Sequence, residues 1–186
     1  MKKIYLKELR RYFEQRLAQT TQGFEPTKLD RSHLLHGSLC YAKRLGEADI
    51  VYVCVRPSPK GEDEFDIELG WSREGRIPET FKRSAELYAF TVPAPEQRLW
   101  LNPWPESGMW EFEQPRLPGF TPLPHQLTGE PLTAEIARSV VESVTENAVQ
   151  MLISVGLPIL EQFEAYVKGE QASAAGSPRH GESPDQ

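Results

Sequence analysis

Asp49-Ile50-Val51-Tyr52-Val53-Cys54-Val55 leads through a polar Pro57-Ser58-Pro59-Lys60-Gly61-Glu62-Asp63 connection into Glu64-Phe65-Asp66-Ile67-Glu68-Leu69-Gly70-Trp71, and the fold turns on this stretch. Ile50 to Val55 is apolar at every position, the pattern of a central strand covered on both faces. Phe65, Ile67, Leu69 and Trp71 alternate with Asp66, Glu68 and Gly70, the pattern of a strand with one face in a core and one in water. Two such runs joined by a Pro/Gly-rich loop predict an antiparallel hairpin.

Working outward, Leu34 to Leu45 predicts the preceding strand. Leu39, Tyr41 and Lys43 share one side, Cys40, Ala42 and Arg44 the other, and Gly46-Glu47-Ala48-Asp49 makes the turn. This return brings Cys40 opposite Cys54 or one step diagonal from it, with the register open. The two cysteines are expected to be buried free thiols.

Before these strands, Ile4 to Thr21 reads as an amphipathic helix. Leu6, Leu9, Phe13 and Leu17 form its stripe, Tyr5 and Tyr12 widen it, and Gly23 ends it. Lys7, Arg10 and Arg11 form a basic group whose simplest reading is a solvated face. After the strands, Phe81 to Val92 reads either as a short helix through Leu87 or as a strand from there. Arg98–Leu101 and Met109–Phe112 look extended. Pro103, Pro105, Pro115, Pro118, Pro122 and Pro124 deny the region long elements. Trp100, Trp104, Trp110, Phe112 and Phe120 lie among them, either pinning a long loop to the domain or forming a recognition surface. A helix is expected from an N-cap at Thr133, with Ile136, Val140, Val144 and Leu152 on its stripe and a break or kink at Gly156-Leu157-Pro158. A second helix carries Leu160, Phe163 and Val167.

The expected architecture is α+β: an N-terminal helix, an antiparallel meander, a Pro/Trp-rich irregular segment, and C-terminal helices packed on the sheet. Residues 1–168 form the domain, and 169–186 are too polar to repay ordering and read as a disordered tail.

Composition bounds function. A hydrophobic share of 39% and a charged share of 26% suit a globular protein. No apolar run in the sequence reaches the roughly 20 residues of a membrane span, and the apolar middle of a signal peptide is missing near Lys2 and Lys3, so the expected location is the cytoplasm. A formal charge of −6 argues against nucleic acid as partner. His33 and His36 are three apart but lack a third ligand, so no metal site and no cofactor is expected. The acidic group Glu64, Asp66 and Glu68 falls on one strand face, which reads as solvated.

The helix end at Gly23-Phe24, the runs Val51-Tyr52-Val53 and Phe65-Asp66-Ile67-Glu68-Leu69-Gly70, and the closing Gly156-Leu157-Pro158-Ile159-Leu160-Glu161-Gln162-Phe163 resemble a family of small bacterial α+β domains of unknown function. The resemblance implies a fold and supplies no catalytic residues. The sequence has no Gly-x-Ser-x-Gly elbow, phosphate-binding glycine loop, His-Glu-x-x-His or Cys-x-x-Cys. The function expected is therefore non-enzymatic protein binding, by analogy with immunity or inhibitor proteins that neutralise a toxin. Its expected binding surfaces are Glu64, Asp66 and Glu68 on the strand and Trp100, Trp104 and Trp110 in the loop. The alternative is a small hydrolase or nucleic-acid-processing enzyme whose polar residues, such as His33, His36, Glu68 or Glu111, converge only in three dimensions.

Overall fold

The apolar run and the alternating run do form a hairpin. In the computed structural model, β3 (Ile50–Pro57) and β4 (Glu64–Ser72) pair antiparallel, with Val51 opposite Trp71 and Val55 opposite Ile67. The structure describes residues 1–27, 37–58, 60, 62–78, 82–90, 94–101, 109–112 and 131–176. Upstream lie helix α1 (Lys3–Thr20), the two-residue strand β1 (Glu25–Pro26) and β2 (Leu39–Arg44). Downstream come β5 (Lys82–Ser84), a 3₁₀ turn (Ala85–Leu87), β6 (Glu96–Leu101) and β7 (Trp110–Glu111). The chain closes with α2 (Ala134–Met151), a π-helical segment (Leu152–Gly156) and α3 (Leu157–Gly176).

The strands order as β1-β2-β3-β4-β6-β5, with β7 pairing the start of β4. All pairings are antiparallel except β5 with β6, which is parallel. The protein is α+β, with a meander between its N-terminal helix and its C-terminal helices.

The helices cover one face of the sheet. Leu39, Tyr41, Val51, Val53, Val55, Phe65, Ile67, Leu69, Trp71, Leu99 and Leu101 point toward them. Tyr5, Leu9, Phe13 and Leu17 are the buried stripe of α1, and Phe13 meets Tyr41 with ring centroids 5.8 Å apart. Leu6 and Tyr12, expected in that stripe, are half-buried at its margins. Trp71 stacks on Phe163 of α3 at 5.0 Å. Lys7, Arg10 and Arg11 are exposed, as a solvated face requires, and Arg11 also reaches across to Glu142 of α2, as Arg16 does through two bonds to Glu146.

Thr133 caps α2 as expected, its side chain accepting from the Ile136 N–H. The break expected at Gly156-Leu157-Pro158 is instead a change of helix type. The Leu157 N–H donates to the Leu152 carbonyl, five residues back. Pro158 has no N–H and its ring crowds the preceding turn, and a wider turn there relieves the clash while the helix continues.

Two further expectations are corrected. The helix runs through Gly176, so the domain boundary drawn after Lys168 falls inside it, and Glu170 pairs with Arg73 at 2.8 Å. Residues 177–186 lie outside the described residues. Phe81 to Val92 holds both a short strand and one helical turn: β5, then the 3₁₀ turn, the buried Ala85 anchoring it to the core. Contrary to the sequence-based expectation, the helix Ala134–Glu170 is by length and composition alone long and apolar enough to cross a membrane, but its apolar stripe is spent on the sheet and on α1.

Candidate functional site

On the sheet face away from the helices, the register aligns side chains in transverse rows. Arg56 is opposite Asp66 in one row, and Cys40, Cys54, Glu68 and Trp100 share the next. Ala42, Tyr52, Gly70 and Arg98 make the third. Asp66 and Glu68 of β4 therefore meet arginines from the flanking strands.

The geometry is close and saturated. Arg56 grips Asp66 through Nε at 2.7 Å and Nη2 at 2.5 Å, and its Nη1 lies 3.1 Å from Glu68 Oε2. Arg98 takes the other side, with Nε donating to Glu68 Oε1 and Nη2 to Oε2, both at 2.8 Å. Glu68 is fully buried, and Asp66, Arg56 and Arg98 are 4%, 8% and 7% exposed. Burial alone would pull both guanidiniums down. Asp66 bonding to Arg56 and Glu68 bonding to Arg98 outweigh it, and both are held above the usual arginine range. Two cations balance two anions, the condition under which buried charge is tolerable.

Glycine is required at position 70 by a close approach. A Cβ there would sit 2.0 Å from the Gln97 carbonyl oxygen and 2.8 Å from Tyr52 Oη. The missing side chain lets the Tyr52 ring lie across β4 beside the ion pairs. Burial, then the charge of Glu68, pushes the Tyr52 phenol well above its ordinary range. Tyr52, Cys40, Cys54 and Ile77 form a small second apolar cluster.

These positions correct the sequence-based surface. Glu64, Asp66 and Glu68 were expected on a solvated face, but all three are buried. Alternation places them on one face correctly. It fails only in assuming that this face meets water. Glu64, 8% exposed, lies at the edge, opposite Glu111 of β7. Burial, then a hydrogen bond with Glu62, raises its carboxyl above the usual range. Trp110 is a core pin: it stacks on Phe65 at 5.5 Å, and its Nε1 donates to Asn147 of α2 at 3.0 Å. Trp100 is half-buried in β6. Trp104, His33 and His36 lie outside the described residues.

Arg56, Arg98 and Tyr52 were missed as partners of the acidic run. The signal was an arginine in phase with Tyr52 and Cys54 at the end of an otherwise apolar strand. Among the described residues no three His, Cys, Asp or Glu side chains converge as a metal site. Glu68 is poorly placed as a general base, since both its oxygens accept from guanidiniums.

The surface shows a different feature. Leu87, on the 3₁₀ turn, is 87% exposed, the most exposed large apolar side chain among the described residues. The turn packs beside the π-helical segment. Ala89 is exposed nearby, and Tyr88 and Phe90, which pack one side against Trp71, are half-buried.

The fold is thus that of an α+β protein with an ion-paired second sheet face. Comparison of the chain with protein families, with characterised proteins and with solved structures found no match.

Proposed function

We propose that this chain is a protein-binding module that engages its partner through the 3₁₀ turn around Leu87. The carrying observation is the 87% exposure of Leu87. A single exposed leucine is ordinary. This one projects from a turn whose neighbours Tyr88, Ala89 and Phe90 leave apolar surface uncovered. Desolvating such side chains on contact supplies affinity, and charge around them steers the encounter. With 27 acidic against 21 basic residues the chain favours a basic partner, which supports the narrower reading of an inhibitor or immunity protein. The charged chemistry of β4 supports binding elsewhere, because Asp66 and Glu68 are already spent on arginines inside the molecule and Glu64 is buried at the sheet edge.

The test is site-specific crosslinking in the native host. A photoreactive residue at position 87 should trap one dominant partner, and the same residue at position 10, on the exposed side of α1, should not. Identical adducts from both positions, or none from 87, would remove the turn as the binding surface.

A further inference from the structure

Cys40 and Cys54 are reactive groups that the ion-pair lattice does not use. They are Cα partners in the β2–β3 ladder. The Thr27 N–H donates to the Cys40 carbonyl at 2.9 Å, so the main-chain groups of Cys40 face β1 rather than β3. The Leu45 N–H, five residues on and therefore of opposite phase, bonds the Asp49 carbonyl on the β3 side. Cys40 and Cys54 are thus a non-hydrogen-bonded pair, a site where opposing Cα atoms stand about 4.5 Å apart. A disulfide bridges Cα separations of roughly 4.4–6.8 Å. Both side chains point to the same face, beside Tyr52 and Ile77. Both thiols are free here, and the Cys54 thiol shares a hydrogen bond with Cys40.

We propose that Cys40 and Cys54 close an intrachain disulfide by exchange with a low-molecular-weight disulfide, making this rung a redox-responsive cross-link between β2 and β3. Cys40 is the attacking group. It is 3% exposed against 0% for Cys54, and it neighbours an edge strand of only two residues. Its thiolate attacks one sulfur of R–S–S–R, so a bond to Cys40 Sγ forms, the R–S–S–R bond breaks, and RS⁻ leaves to take up a proton. The deprotonated Cys54 then attacks Cys40 Sγ and expels the second thiol as RSH. Two electrons pass from the protein dithiol to the small disulfide, and the sulfurs balance. The first step is slow because β1 must lift, breaking the Thr27–Cys40 bond. Burial, which raises the Cys54 thiol well above its usual range, slows the second. Each exchange step runs in reverse with excess thiol, so the cross-link is reversible.

The experiment needs no partner, so its result is independent of the binding proposal. The full-length protein is incubated with oxidised and reduced glutathione at graded ratios, quenched in acid, alkylated, weighed intact and peptide-mapped. The expected product is a species about 2 Da lighter, carrying no alkyl group and joining the Cys40 and Cys54 peptides. It should return to the dithiol in excess reduced glutathione. A folded Cys54→Ala variant should stop at a glutathione adduct on Cys40. A dithiol that persists across the whole series, a mixed disulfide that never resolves, or closure only in denaturant would overturn the proposal. So would a folded Cys54→Ala protein without the adduct.

Discussion

Glu146 shows how single carboxylates tie this fold to pH. Hydrogen bonds from Arg16, then Gln150, with Tyr12 adding a third, hold it at about 2 against the opposing effect of burial. A folded value below the unfolded one, which is about 4.3, means the charged form is the one the native state favours. Its contribution is therefore complete above about pH 4.3 and is lost as pH falls toward 2. Glu146→Gln should lower the melting temperature at pH 6. The gap from the parent protein should narrow steadily between pH 4.3 and 2. A gap that stays constant over that range would show that Glu146 acts by shape rather than charge. Asp66 and Glu68 follow different rules, because their arginine partners are buried with them. Sequence shows the phase of Glu64, Asp66 and Glu68 but not their burial. The decisive fact is that Arg56 and Arg98 stand in the rows on either side of the Glu68 row, and that depends on the registers of two separate ladders. Register is a property of the assembled sheet.

At the scale of elements, Gly156 and Gly169 of the C-terminal helix run have opposite meanings. A Cβ at Gly156 would lie 2.8 Å from Leu152 Cδ1, 3.2 Å from Leu69 Cδ2 and 3.4 Å from Leu101 Cδ1. At Gly169 nothing lies within 4 Å. Alanine gains about 1 kcal/mol over glycine as a helix former at either position. Overpacking a filled core costs about 1–3 kcal/mol, and at Gly156 that outweighs the gain. Gly156→Ala should therefore destabilise and Gly169→Ala stabilise, read as opposite shifts of the urea midpoint. Shifts of the same sign would mean that the π segment has room to adjust. The elements themselves were largely legible. Leu9, Phe13 and Leu17 mark α1, Thr133 marks the start of α2, and the Phe65–Trp71 alternation marks β4. The passage through Pro158 was not legible, since proline normally ends a helix and only the π turn preserves it. Nor was the parallel pairing of β5, a three-residue strand too short to carry a pattern.

The whole molecule is a sheet occupied on both faces, apolar against the helices and ion-paired on the other side. Net stability is a small remainder of large terms, so a fully buried charge left without its partner weighs heavily. Removing one partner from such a pair costs about 3–5 kcal/mol, whereas a surface substitution stays within about 0.5 kcal/mol. The binding proposal depends on this distinction. If the β4 carboxylates are interior, they hold strands together, and the partner must be met elsewhere, at the turn around Leu87. The most direct measurement is thermal unfolding, followed by circular dichroism, of the protein with Glu64, Asp66 and Glu68 all changed to Lys. Two ammonium groups, at positions 4% and 0% exposed in the parent, would then face Arg56 and Arg98, and a third would be buried at the sheet edge, where Glu64 is 8% exposed. The protein should show no cooperative transition. A folded variant melting within a few degrees of the parent would contradict the account and return the acidic strand to the surface.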